Sequence, residues 1–139
     1  DRWVSRDCDS VIWPREWHAV QEWVWSGLNF HFMRDHYSGH DSAVMGGMWG
    51  GVGGAWNLIQ LYRDHVQTAD DQQFYSAHLW PHVQDVQLGH DSAYCTKYQA
   101  LPFPDPAWHH WVGQTPRYKH NPSPDARGCS SIEYNEFIE

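Results

Sequence analysis

The chain reads as an α/β domain, a mixed sheet covered by helices. Two observations predict this class. Short β-like runs alternate with stretches of helical spacing through roughly the first hundred residues. A length of 139 residues with 41% hydrophobic positions also suits one domain with a buried core. The expected organisation is a single domain over 1–139, with a body at 1–98 and a long, irregular, Pro-rich C-terminal tail at 99–139.

Arg2-Trp-Val-Ser-Arg6 is a short β-like run that breaks at the polar cluster Asp7-Cys-Asp-Ser10. Pro14 suits the first position of a helix, where its missing N–H would be unpaired anyway. Trp17, Val20 and Val24 recur at helical spacing, and Ser26-Gly27 ends the helix. Phe30–Arg34 reads as a buried strand. The glycine-dense stretch 46–54 carries Met48, Trp49 and Val52, which are costly to leave in water, so it reads as a packed, site-forming loop. A helix follows with Ala55, Leu58, Ile59, Tyr62 and Val66 on one stripe. Another spans about Asp70 to Trp80, acidic at its N-terminus where the helix dipole favours it, with Pro81 near its end. Val83–Leu88 reads as a strand. Six of the eight prolines lie beyond Gln99, so the last third is expected to wrap the body without regular structure. Gly-His-Asp-Ser-Ala occurs at 39–43 and 89–93 with unlike flanks, as coincidence or as two similar turns.

Composition excludes several classes. Nine Lys+Arg against 17 Asp+Glu, for a net charge of −8, argue against a nucleic-acid binder. No apolar run approaches the roughly 20 residues that cross a bilayer. Cys8, Cys95 and Cys129 allow one internal disulfide, Cys95–Cys129 tying down the tail, or three free thiols. The start at Asp1 reads as a processed form or a piece of a longer protein.

Asp7 and Asp9 are carboxylates at i and i+2 on a turn, a pattern that holds a hard divalent cation such as Mn²⁺ or Mg²⁺ from one side. Around them stand Arg6-Asp-Cys-Asp-Ser10, Arg15-Glu16, Ala19-Val20, Glu22-Trp23 and Ser26. In order after these come His31-Phe-Met-Arg-Asp-His36, Gly46-Gly-Met-Trp-Gly50, Asp71-Gln72, Trp80-Pro81, His90-Asp-Ser92 with Cys95, Pro102-Phe-Pro104 and Val112-Gly-Gln114. Across positions 2 to 115 this series resembles a glycosyltransferase group of GT-A fold, typified by the amino-terminal domain of a large chlorella-virus glycosyltransferase.

The resemblance implies metal-dependent transfer of a sugar from a nucleotide-sugar donor to a glycan acceptor. The fold it implies is the C-terminal portion of a GT-A-like mixed sheet flanked by helices, from the Asp-x-Asp motif onward. Asp7 and Asp9 match the metal-binding Asp-x-Asp, and Asp71-Gln72 the Asp-Gln pair that opens a helix beside donor sugar and acceptor. His110, within His110-Trp-Val-Gly113, matches a histidine that completes the metal site, with His90 as rival. Arg34, Asp35, Gly47 and Trp49 would line the sugar pocket, Arg34 pairing with phosphate or a carboxylate and Trp49 stacking on a sugar face. The group usually has arginine after Asp-x-Asp-Ser, where this chain has Val11. It also carries base-binding strands before the motif. Here those lie outside the 139 residues, or the chain is a processed remnant.

Eleven histidines and ten tryptophans against two lysines, Lys97 and Lys119, support an alternative. It is a secreted, non-catalytic protein that reuses part of the fold and binds Cu²⁺ or Zn²⁺. His78 and His82 at i, i+4, His36 with His40, and His109 beside His110 are its candidate ligands. A carbohydrate-binding module without catalysis is the third reading. Trp17, Trp49, Trp56 and Trp80 read as core. Trp3, Trp13, Trp23, Trp25, Trp108 and Trp111 cannot all be buried in so small a body, and some are expected in a sugar platform or a self-association surface.

Overall fold

The computed structural model describes residues 1–65, 70–105, 110–115 and 129. A five-stranded mixed sheet forms the centre, built from β1 (Arg2–Arg6), β2 (Phe30–Arg34), β3 (Met48–Val52), β4 (Gln87–Asp91) and β5 (Leu101–Pro102), in the order β1-β3-β2-β4-β5. β3 runs antiparallel to β1 and β2, whereas β2, β4 and β5 are parallel. Helices α1 (Pro14–Ser26), α2 (Leu58–Asp64), α3 (Asp71–Phe74), α4 (Trp80–Val83) and α5 (Cys95–Tyr98) flank it.

Alternation along the strands sorts the core into two layers. Phe30 and Phe32 of β2 and Trp49 of β3 pack with Val44, Leu61, Leu79 and Val83 on the α2–α4 face. Met33 and Met48 point the other way and pack with Ala19, Met45, Phe103 and Val112 on the α1 face.

Helix α1 starts at Pro14 and stops at Gly27, whose φ of +73° is the left-handed cap that glycine adopts without strain. Its inward stripe differs from the expected one. Arg15, Glu16, Ala19 and Trp23 are buried, while Trp17, Val24 and Trp25 face outward. The reason is room on β3. A Cβ on Gly50 would lie 2.5 Å from the Trp3 carbonyl oxygen, which only glycine admits, and the bare backbone there lets the Trp23 ring pack closely over it, at 3.4 Å from where that Cβ would be. The glycine-dense stretch is therefore divided: Gly46-Gly47 belongs to a loop, whereas Met48–Val52 is a strand whose glycines clear space for tryptophan.

The helix after Asp70 runs further than expected. Asp70 caps it by accepting from the Gln72 N–H, and α3 passes through a π turn, Tyr75–Leu79, into α4. Pro81 is thus inside the helical run. It lacks an N–H and crowds the preceding turn, and the wider π turn just before it relieves that conflict. Val83 closes this helix as a buried residue, so the strand expected at 83–88 lies instead at Gln87–Asp91. The second Gly-His-Asp-Ser-Ala begins in that strand and ends just beyond it, whereas the first is a turn with Gly39 at φ +85°, so the two copies are not alike. Helix α2 is shorter than its apolar pattern, beginning at the Asn57 cap, and exposes Ile59 and Tyr62.

Among the described residues beyond Gln99, β5 pairs with β4, and Phe103 and Val112 enter the core. Cys95 and Cys129 form a disulfide, and Cys8 is free and exposed. Most of the expected tail, 116–128 and 130–139, lies outside the described residues. Among those described, no helix is long and apolar enough to cross a membrane.

Candidate functional site

β1 delivers the chain to the turn Asp7–Ser10, closed by the Ser10 N–H donating to the Asp7 carbonyl at 3.2 Å. Two side chains of β1 then anchor the loop before β3. Ser5 Oγ donates to the Gly46 carbonyl and Arg6 Nη1 to the Gly47 carbonyl, both at 3.0 Å. Arg6 also pairs with Glu16 at 2.9 Å. Burial pushes the Glu16 carboxyl upward, and the Arg6 charge opposes this.

The loop so held places two carboxylates against adjacent glycines. A Cβ on Gly47 would fall 2.3–2.5 Å from the Asp7 carboxylate atoms, and one on Gly46 would fall 2.6 Å from Asp71 Oδ2. Any side chain here would displace an acid. Asp7, His40, Gly47, Asp71, Gln72 and Gly113 line one cavity of about 120 Å³. Asp7, Gly47, Asp71 and Gln72, singled out from widely separated motifs, are therefore brought together.

The segment 110–114 is tied to the same turn. Ser10 Oγ donates to the Gly113 carbonyl and the Val11 N–H to the Gln114 carbonyl, each at 3.2 Å. The His110 ring stacks on Trp13 with centroids 3.7 Å apart. Its Nδ1 lies 3.2 Å from Gln114 Oε1, which also accepts the Trp111 N–H at 3.3 Å. An atom accepting a backbone N–H is the amide oxygen, so His110 donates from Nδ1 and leaves a lone pair on Nε2. That is the tautomer a metal ligand uses. Asp9 is exposed on the turn, outside the cavity lining. Among the described residues, no group of three or more His, Cys, Asp or Glu side chains is arranged to hold a metal ion.

The other expected residues sit elsewhere. His90 is buried in a chain of rings, its Nε2 2.9 Å from Glu22 Oε2 and its Nδ1 2.8 Å from His31 Nε2. The Glu22 carboxylate accepts His90 Nε2–H, so His90 Nδ1 accepts His31 Nε2–H, and His90 has no lone pair left for a metal. Burial pushes both imidazoles down, His31 well below its usual value. Arg34 is fully buried, donating to Asp91 at 2.6 Å and to the Ala43 carbonyl at 2.5 Å. Asp35 is equally buried, receiving Arg15 at 2.7 and 3.0 Å and the Val112 N–H at 2.9 Å. Trp49 packs edge-on against Trp3 at 4.7 Å inside the core.

The histidine pairs separate likewise. His78 stacks on His65 at 3.9 Å, while His82 lies against Trp56 at 4.9 Å. The His36 and His40 rings are 6.0 Å apart. Burial, with His36 nearby, takes the His40 imidazole down to about 4. His109 lies outside the described residues. Besides Trp49, Trp23 and Trp111 are buried, whereas Trp25 is 79% exposed on α1 and Trp17, expected in the core, is 57% exposed there. Ser10 and Gln114 as clasps, and His40 as part of this cavity, are not legible in the spacing of the motifs. Glycine at 113, held at φ +88°, was the available signal. Comparison with protein-family models, curated proteins and solved structures finds no match for this chain.

Proposed function

We propose that the chain carries the catalytic portion of a metal-dependent glycosyltransferase, moving a sugar from a nucleotide-sugar donor to a glycan acceptor. Its sheet would be the part of a GT-A-like domain that follows the Asp-x-Asp motif. The observation that carries this reading is the pair of carboxylates, Asp7 and Asp71, pressed against Gly46-Gly47 in one cavity.

What supports a hard cation is the donor chemistry of the two carboxylates in the cavity, Asp7 and Asp71. Asp7 fills the space a Cβ at Gly47 would take, and its oxygen donors suit Mn²⁺ or Mg²⁺ better than Cu²⁺ or Zn²⁺. The resemblance would have Asp7 and Asp9 hold it with His110 as third ligand; Asp9 and His110 lie outside the cavity lining, and among the described residues the three are not arranged as one metal-holding group. Few protein ligands are needed, because such ions keep waters and substrate phosphates in their shell. When bound, the cation would neutralise the leaving diphosphate. Asp71 would accept from sugar hydroxyls and face the positive charge that develops on the sugar. Gln72, at the helix start, would donate and accept beside it. Arg34 and Asp35 would act from below, fixing β2 and the 110–114 segment without touching substrate.

Isothermal titration of uridine and guanosine diphosphates, with and without Mn²⁺, tests the reading. Binding that requires Mn²⁺ and is lost in Asp7→Asn is expected. Absence of binding by the wild-type chain contradicts it.

A further inference from the structure

His40 lies on the loop between β2 and β3 and lines the cavity shared by Asp7 and Asp71. Its ring is held in one tautomer. The Asp35 N–H donates to His40 Nδ1 at 3.3 Å, the ring's one hydrogen-bond partner among the described residues. A nitrogen that accepts carries no proton, so the proton of the ring sits on Nε2. Coordination through Nε2 would move that proton to Nδ1, where it would meet the Asp35 N–H head-on. His40 is thus built to donate, the opposite of His110.

Its place within the cavity narrows what it donates to. A Cβ on Gly113 would lie 3.5 Å from His40 Cε1, and the Gly113 carbonyl accepts from Ser10 at the end of the Asp-x-Asp turn. His40 and the Asp-x-Asp turn thus meet the same residue, Gly113, in a cavity that Asp7 and Asp71 also line. Among the described residues, no Lys or Arg lines this cavity. Arg6, Arg15 and Arg34 are spent in ion pairs with Glu16, Asp35 and Asp91. Among the described residues, the contacts this cavity offers a diphosphate are uncharged donors such as the His40 Nε2–H.

We infer that His40 binds the diphosphate of the sugar donor through Nε2–H, as a hydrogen-bond donor and not as a metal ligand. This rests on the glycosyl-transfer reading above. Two variants separate the ring's two roles. His40→Asn sets a carboxamide oxygen where Nδ1 was, keeping the Asp35 N–H bonded but removing the Nε2 donor. His40→Gln places an amide N–H near the Nε2 position.

The test is isothermal titration of the full chain with Mn²⁺ alone, with Mn²⁺ and inorganic pyrophosphate, and with Mn²⁺ and uridine or guanosine diphosphate. Thermal unfolding serves as the folding control. His40→Asn is expected to weaken pyrophosphate and both nucleotides by about tenfold, the loss of one hydrogen bond to a charged group. His40→Gln should stay within about threefold of wild type, and Mn²⁺ alone should bind all three proteins equally. Wild-type-like pyrophosphate binding by a folded His40→Asn overturns this inference alone. So does weakening of Mn²⁺ itself, or of the nucleotides without pyrophosphate. If the wild-type chain binds neither pyrophosphate nor nucleotide with Mn²⁺, the glycosyl-transfer reading falls and takes this one with it.

Discussion

Arg34 is a residue whose role is decided by burial. Its guanidinium is fully enclosed, bonded to Asp91 and the Ala43 carbonyl, with the rings of Tyr98 and Trp80 over it at 4.3 and 6.0 Å. Burial lowers its pKa, and the Asp91 charge opposes the shift. Removing one member of such a pair strands the other charge, at a cost of about 3–5 kcal/mol. Arg34→Met is therefore expected to lower the unfolding free energy by that order in urea titration. A phosphate-binding arginine would instead leave stability intact and weaken the ligand. Residue type could not separate the two roles, because Arg-Asp-His is equally good as a ligand set or a buried network. For Asp7, Asp71 and Gln72 the sequence reading went further. Polar residues at a strand end and a helix start are placed by those elements, and both ends reach one cavity. The histidines were illegible for a related reason: their tautomers depend on partners that only the fold supplies, the Asp35 backbone N–H turned back onto His40 and the Glu22 carboxylate, 68 residues away, on His90.

Among the elements, β1, α1 and β2 were readable to within a residue, because Pro14, Gly27 and a short apolar run mark their limits locally. β3 was not, since three of the first five residues after Met45 are glycine, and glycine weakens a strand pattern. Its glycines answer to tryptophans on other elements. Gly50→Ala drives a methyl to 2.5 Å from the Trp3 carbonyl oxygen and to 3.4 Å from the Trp23 ring. The expected cost is about 1–3 kcal/mol of overpacking, read as a lower denaturation midpoint with unchanged m-value. The outward face of α1 was misassigned for the same reason, since helical spacing names two apolar stripes and the room for Trp23 chooses between them.

Across the whole molecule, the buried histidines couple the fold to pH. His31, His90 and His40 all have imidazoles held below their ordinary value, burial being the largest cause in each. The unfolded chain then binds more protons than the folded one as the pH falls through 6.5. Their contribution is present above that value and is lost progressively toward about 4, where His40 titrates in the fold. Glu16 and Asp35, pushed upward by burial, act in the opposite sense. The melting temperature is expected to fall between pH 7 and pH 5, and to fall less in the double variant His31→Phe, His90→Leu. An equal fall in both proteins would assign the effect to other groups.

The site claimed for Asp7 and Asp71 is tested most directly by the electron paramagnetic resonance of Mn²⁺, whose six-line signal in water is lost on immobilisation. A glycosyl-transfer site predicts that wild-type chain and nucleoside diphosphate together remove the free signal, and that the Asp7→Asn chain leaves the signal of a protein-free mixture. A signal that wild-type protein leaves unchanged at every nucleotide concentration would contradict it.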